Sequence, residues 1–478
     1  MKNESNIKKD YDIIVIGAGS GGLNVAGFMN TAGFKVLLID KSDQSIGGDC
    51  LNFGCVPSKA FIHAARQVSE ARASREFGLD VHGDVDLKAV MDYVRSRQDI
   101  IREHENASHF RDKGMDVALG SARFTGPQTV LVGEEEYTAK KIVIATGSRP
   151  RALDLPGLEQ VKTVYTNENI FSLERLPRKM AIIGAGPIGV ELGQAFALLG
   201  VEVSIIGNVF LGKEDPEVAL ILRQTLEQSG IQIYEKYKPI RVKDDQTLVI
   251  SHLDTLEERQ VTFDTLLTSV GREFNTDSLN LAKAGIEVDK RGAVKVDQYL
   301  QTTNKQVSAI GDVIGQHMFT HAAELHASVI IRNFFTPFFL KKKLSTDIMA
   351  WVTYTDPEIA TFGLSESELD KQNIFYQIIT KNITEDDRAI TDNRRVGLLK
   401  VYVSKKDRVL GGTMIAHNAG ELTQELMLAQ VNNLKISAFL KKVYPYPTAT
   451  RINRSLFLSY EARKLTERTK KILYWLFH

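Results

Sequence analysis

The chain has 478 residues, 60 basic and 59 acidic, so its net charge of +1 gives no electrostatic case for a nucleic-acid partner. The hydrophobic fraction, 43%, is that of a globular protein, and the length suits about three domains. Met1 to Asp10 is polar with no apolar export core, and no run approaches the ~18 apolar residues of a membrane span, so a cytoplasmic, reducing location is expected.

Tyr11 to Ile16 reads as an apolar strand. It breaks into Gly17-Ala18-Gly19-Ser20-Gly21-Gly22, a helical segment runs to about Ala32, and a second strand, Val36 to Ile39, ends at Asp40. In such a βαβ unit Gly17, Gly19 and Gly22 let backbone approach a pyrophosphate at a helix N-terminus. Asp40, 18 residues after Gly22, is placed to bind a ribose hydroxyl.

Gly47 to Lys59 follows and holds Cys50 and Cys55, the only two cysteines. Positions five apart on a regular helix rise about 7.5 Å and point about 140° apart, whereas a disulfide needs Cα atoms roughly 4.4–6.8 Å apart. A bond between them therefore requires irregular backbone, which Gly54 permits. Pro57 and Ser58 open a helix with Cys55 near its N-terminus, where a thiolate is favoured. Spacing alone leaves two readings open, a reducible catalytic pair or two unbonded core cysteines.

The dinucleotide pattern recurs. Met180 to Ile183 is a strand, Gly184-Ala185-Gly186-Pro187-Ile188-Gly189 opens a helix through Leu199, and Val201 to Ile206 is the next strand. Gly207 and Asn208 stand where an acidic residue would repel a 2′-phosphate. The cofactor pair expected is one dinucleotide in the first unit and NADPH, with NADH less favoured, in the second. No Arg stands beside Asn208 to grip the phosphate; Lys213 is the nearest cation in sequence.

Gly47-Gly48-x-Cys50-x-Asn52-x-Gly54-Cys55-x-Pro57-Ser58-Lys59 closely resembles the redox centre of the class I pyridine nucleotide-disulfide oxidoreductases, the family of dihydrolipoamide dehydrogenase and mercuric reductase. Asp49 stands where most members have Thr. The resemblance extends over roughly Tyr11 to Ser459 and implies an α/β fold of two Rossmann-like dinucleotide-binding domains plus a C-terminal α+β dimerisation domain. By the same resemblance the FAD-binding domain is interrupted, 1–152 and 276–348, the NAD(P)H-binding domain is 153–275, and the dimerisation domain is 349–478. Gly48, Lys59, Gly120, Ala122, Ala145, Thr146, Gly147, Asp312 and Thr320 match FAD-contacting positions. Gly271 lies in the return crossing Ser269 to Arg272. Cys55 is implied as the flavin-side thiolate, Cys50 as the interchange thiol, and Lys59 as the cation by the flavin, paired with Glu191. No resident metal site is read.

At the C-terminus the family's lipoamide- and glutathione-reducing members carry a His-Pro pair with a Glu beyond it, supplied across the dimer. Here Tyr446-Pro447 and Arg451 replace them. A Tyr of ordinary pKa is a poor base at neutral pH, and mercuric reductase resembles this chain in having Tyr there. No N-terminal metal-binding module and no C-terminal cysteine pair accompany it. Phe334 to Lys343 and Arg463 to His478 mix aromatic and basic residues, as a membrane interface or a protein groove would favour, or as a core edge and a docked dimer helix would. The expected function is a homodimeric FAD-dependent NAD(P)H:disulfide oxidoreductase with an unidentified small-molecule or protein disulfide as acceptor. Its rivals are a metal-ion or quinone reductase peripheral to a membrane, and a low-turnover flavin-containing partner-binding protein.

Overall fold

The computed structural model describes residues 9–478, so the polar N-terminal run lies almost wholly outside the described residues. Two compact units are present. The first runs to Asn208 and resumes over Tyr234–Leu344; the second comprises Val209–Ile233 and Ser345–His478.

The first unit holds two parallel-based sheets. One is built on β1 (Lys9–Ile16), β2 (Val36–Asp40), β3 (Asp116–Leu119), β4 (Ala122–Gly126), β5 (Thr129–Val132), β6 (Glu135–Ile144) and the late strand β17 (Val307–Ala309), in the order β3-β2-β1-β6-β5-β4 with β17 on β6. β1 pairs parallel with β2 and β6, and their residues Ile13, Ile14, Val15, Ile142 and Val143 are fully buried. Such strands are apolar on both faces because helices cover both. α1 (Ser20–Thr31) follows β1, and α2 (Gly48–Asn52), α3 (Cys55–Ala73), α4 (Leu87–Arg102) and α5 (Ala107–Asp112) follow β2. β6 is shared along its length: Glu135–Thr138 pairs antiparallel with β5, and Ile142–Ile144 pairs parallel with β17.

The other sheet runs β11-β10-β9-β15-β8, from β8 (Val164–Tyr165), β9 (Lys179–Ile183), β10 (Glu202–Gly207), β11 (Gln232–Glu235) and β15 (Thr265–Thr268). α6 (Pro187–Leu198) follows β9, and an antiparallel trio, β12 (Tyr237–Asp244), β13 (Thr247–His252) and β14 (Glu258–Thr262), precedes β15. The chain crosses between the two sheets twice, and the crossings pair as a ribbon: β7 (Ser148–Pro150) lies antiparallel to β16 (Arg272–Phe274). α8 (Thr320–Phe334) returns against α1.

The second unit is an antiparallel sheet, β18-β19-β22-β21-β20, made of β18 (Ala350–Thr353), β19 (Glu358–Gly363), β20 (Tyr376–Asn382), β21 (Leu398–Ser404) and β22 (Val409–Ala416). α7 (Pro216–Gln228) belongs to it, although 209–233 falls inside the 153–275 segment read as one domain from sequence. The tie is polar: the buried Glu214 carboxylate accepts from Trp351 Nε1 at 2.9 Å, Thr353 Oγ1 at 3.0 Å and Thr361 Oγ1 at 2.8 Å. Lys400 Nζ reaches Asp215 at 3.0 Å.

α9 (Glu366–Lys371), α10 (Asp387–Thr391), α11 (Ala419–Leu422), α12 (Gln424–Val431), α13 (Ser437–Lys441), α14 (Arg451–Arg463) and α15 (Glu467–Phe477) complete the unit. α11 and α12 are divided at Thr423, whose hydroxyl donates back to the Ala419 carbonyl at 2.9 Å.

Candidate active site

The turn after β1 has two glycines that nothing else could replace. Gly17 has φ +105°, and a Cβ there would sit 2.3 Å from the Ala145 carbonyl oxygen; one at Gly22 would sit 1.9 Å from the Gly17 carbonyl oxygen. Gly19 caps α1 and faces open space except for Gly48 Cα. A Cβ on Gly48 would in turn lie 2.7 Å from Gly19 Cα, so the start of α2 abuts the glycine turn.

Asp40 closes the side. Its carboxylate accepts from Ala18 N at 2.6 Å, Lys41 N at 2.7 Å and Ser45 Oγ at 2.6 Å. Gly120 N donates to the Asp40 carbonyl at 2.7 Å, with Ala122 opening β4 just beyond. Ala145 N donates to Ile16 O, and Thr146 and Gly147 are pinned by Asn275, which donates from Nδ2 to Thr146 O at 2.9 Å and from its backbone N to Gly147 O at 3.1 Å. This backbone-lined cradle, with free N–H groups at a helix N-terminus, fits a dinucleotide pyrophosphate.

The second cradle has the same construction. A Cβ on Gly184 (φ +126°) would lie 2.4 Å from Ser269 O, and one on Gly189 2.1 Å from Gly184 O, while Gly186 meets open space. Gly271 (φ +111°) begins the return crossing in largely open surroundings. Asn208 is exposed, and its carbonyl accepts from Lys236 N at 3.1 Å. Gly207 is sterically committed: a Cβ there would lie 2.6 Å from Ala185 Cβ.

Between α2 and α3 the backbone is irregular at Phe53 and Gly54, and α3 starts at Cys55 itself, two residues before Pro57. A Cβ on Gly54 would lie 3.0 Å from both Asp49 O and Asp49 Oδ2, so the bend demands close approach. Cys50 is half-buried and Cys55 exposed, both as free thiols.

The Cys50 thiol donates to the Cys55 sulfur, and this bond lowers Cys55 most. Thr320 Oγ1, 3.4 Å from the sulfur, and the Lys59 ammonium add to it against desolvation and the Asp49 charge, leaving Cys55 pushed down to about 6. The same bond, then burial and the charge on Cys55, push Cys50 up. One sulfur is thus readied as thiolate and the other held as thiol.

α3 packs on α6 through Phe61 and Phe196, both fully buried, with ring centroids 4.7 Å apart. One face of that contact carries Lys59 and Glu191, whose Nζ and Oε2 are 2.8 Å apart; Glu191 is buried.

Sequence reasoning missed a second polar chain. Asp49 Oδ1 pairs with Arg272 Nη2 at 3.2 Å and accepts from Asn167 Nδ2 at 3.2 Å. Arg272 Nε donates to Ser148 Oγ at 2.6 Å, and Ser148 Oγ donates to Asp312 Oδ2 at 2.5 Å. Burial pushes the Asp312 carboxyl up, against the Ser148 bond and the Arg272 charge. Behind it, buried His326 on α8 accepts from Gly311 N at 3.2 Å through Nδ1. The only sequence signal for this chain was the acid at 49 in place of Thr.

Tyr446 and Arg451 lie together on the second unit. Tyr446 is exposed, and the Arg451 guanidinium sits 5.1 Å from its ring centroid while Nη1 donates to Tyr444 O at 3.4 Å.

The profile described as pyridine nucleotide-disulphide oxidoreductase matches residues 11–327, and that family's dimerisation domain matches 349–455. The chain belongs to this family. A mercuric reductase of Bacillus cereus is 31% identical over 458 residues, covering 94% of this chain and 71% of the reductase. A dihydrolipoyl dehydrogenase of Thermus scotoductus is 32% identical, covering 92% of this chain and 95% of the relative.

Among solved structures, the Cu(II) complex of the HOCl-induced flavoprotein disulfide reductase RclA from Escherichia coli superposes with a TM-score of 0.82 at 26% identity, covering 94% of this chain and 99% of that one. The fold is thus that of the flavoprotein disulfide reductases, and the family uses FAD and NAD(P)H. The protein is an enzyme of this class. Among the described residues no helix is long and apolar enough to cross a membrane.

Proposed function

We propose that the protein is a homodimeric NADPH-dependent oxidoreductase that works through a Cys50–Cys55 disulfide. The observation that carries the reading is the ordered thiol pair, Cys55 lowered and Cys50 raised, one helical turn from a Lys59 locked by Glu191. The first cradle and Asp312 would hold FAD, which when bound would supply two-electron transfer between the nicotinamide and the disulfide. Lys59 holds positive charge beside Cys55, and the buried Glu191 fixes its position. Cys50, once deprotonated, attacks the acceptor disulfide and releases its first thiol, and the Cys55 thiolate then attacks the Cys50 sulfur, re-forming the Cys50–Cys55 disulfide and releasing the second thiol.

The second dinucleotide is NADPH because no carboxylate at Asn208 opposes a 2′-phosphate. The partner subunit's Tyr446 donates a proton to the leaving thiol. A phenol accepts one poorly at neutral pH, so lipoamide and glutathione disulfide are turned over slowly, by about 10²–10⁴-fold relative to a His-bearing relative.

A second reading, favoured by the likeness to mercuric reductase and to a reductase solved with Cu(II), is that the dithiol passes electrons to a thiophilic metal ion. The test is NADPH oxidation by the holoenzyme against lipoamide, glutathione disulfide, quinones, Cu(II) and Hg(II). Turnover with a metal ion, lost in Cys50→Ser, selects the second reading. Rapid lipoamide turnover removes the role given to Tyr446. Oxidation indifferent to every acceptor leaves the low-turnover flavoprotein.

A further inference from the structure

No residue of α15 is buried, and the helix follows the stretch matched by the dimerisation domain, which ends at 455. Ile472 to Phe477 are six consecutive apolar residues, each 50–86% exposed. At about 100° per residue, six successive side chains go right round a helix. The apolar surface is therefore a ring and not a stripe. A protein groove or a second copy of the chain covers one face, and the helices that dock that way carry anchors at i, i+3, i+4 and i+7. A ring is covered on every side only by a medium.

Charge says which medium. Arg468, Lys470 and Lys471 occupy the turns before the ring against a single carboxylate, Glu467, which pairs with Lys470 at 2.7 Å. Tyr474 and Trp475, 69% and 77% exposed, are the residue types that settle at the headgroup level of a bilayer. The eleven residues of α15 make about 16 Å of helix, half a hydrocarbon core of ~30 Å, and no described helix is long and apolar enough to cross a membrane. The ring suits the headgroup–acyl boundary, about 5–10 Å deep, where lipid surrounds it. The aromatic-basic run of the first unit differs: Phe335 packs on Phe28 and Phe34, and Phe338 lies 6.1 Å from Tyr299, so part of that surface is already covered by its own unit.

We propose that α15 docks the protein on an anionic phospholipid bilayer, with Ile472–Phe477 in the headgroup–acyl boundary and Arg468, Lys470 and Lys471 against lipid phosphates. The docking goes beyond the redox reading and shares no residue with it.

The test is co-sedimentation of the full-length holoenzyme with vesicles of phosphatidylcholine alone and of phosphatidylcholine with one third phosphatidylglycerol, alongside the solution mass by light scattering. Binding to the anionic vesicles, weakened by high salt, is expected. Each of Lys470→Ala and Lys471→Ala lowers partition about fivefold, and Trp475→Ser with Phe477→Ser abolishes it at unchanged mass. Equal binding to neutral vesicles, no binding to anionic ones, or binding unaffected by the Trp475 and Phe477 changes overturns the proposal. A fall in mass caused by those changes also overturns it, because a second copy then covers α15.

Discussion

At the scale of single residues, two sulfurs and the charges around them set the chemistry. The Cys55 thiolate is present above pH 6 and lost below it, so iodoacetamide labelling of the reduced enzyme at Cys55 is expected to be half-maximal near that pH. Cys50→Ala removes the donor that lowers it most and should raise the midpoint toward an ordinary thiol near 8.5. Asp49→Asn removes a charge that opposes the thiolate and should move the midpoint the other way. A midpoint unmoved by both changes would show that neither neighbour sets it.

The nicotinamide site gives a second residue-level prediction. Because a Cβ at Gly207 would meet Ala185, the acid belongs at the exposed Asn208. Wild type should favour NADPH in kcat/KM, and Asn208→Asp should shift the ratio toward NADH by about tenfold, which is about 1.4 kcal/mol. A wild type that prefers NADH tenfold contradicts the assignment.

At the scale of elements, two helix contacts carry the site. Glu191 acts from α6 on Lys59 of α3, so it is a positioning residue. Glu191→Gln should retain FAD but slow reduction by NADPH in stopped flow by about 10²-fold, the effect of a misplaced group of about 1 Å. An unchanged rate would make the pair merely structural.

α8 holds the Gly311–Asp312 turn through His326, whose burial pushes its pKa down to about 4 against an ordinary 6.5. The unfolded chain then takes up a proton first as pH falls, so this residue's contribution to stability is complete above 6.5 and lost progressively toward 4. Over that window it weakens the folding equilibrium about tenfold per pH unit. The difference in urea midpoint between wild type and His326→Gln should therefore depend on pH between 6.5 and 4; a constant difference contradicts the buried neutral ring.

At the scale of the whole molecule, what was legible from sequence is what close approach demands. Gly17, Gly22, Gly184 and Gly189 could be read because only glycine fits where backbone passes within 2.4 Å of a would-be Cβ. The Lys59–Glu191 pair was reachable only through resemblance, since nothing in either segment announces that α3 will pack on α6. Asp49–Arg272–Ser148–Asp312 was not legible. It joins a cysteine-bearing helix to the inter-sheet ribbon; Asp49 and Asp312 stand out in sequence for other reasons, and nothing there links them to each other or to Ser148 and Arg272.

The grouping of α7 with the second unit was missed for a related reason. A helix after a Rossmann strand is expected on its own sheet, but here Glu214 at its start is buried among donors from β18 and β19.

The central claim, that electrons from NADPH reach a dithiol whose flavin-side member is Cys55, is tested most directly by anaerobic NADPH titration of the FAD-loaded enzyme, watching the long-wavelength thiolate–flavin absorption. The band should appear after two electrons in wild type, be present before any reductant in Cys50→Ser, where Cys55 has no disulfide partner, and be absent in Cys55→Ser. A band that survives in Cys55→Ser, or none in wild type, would contradict the account.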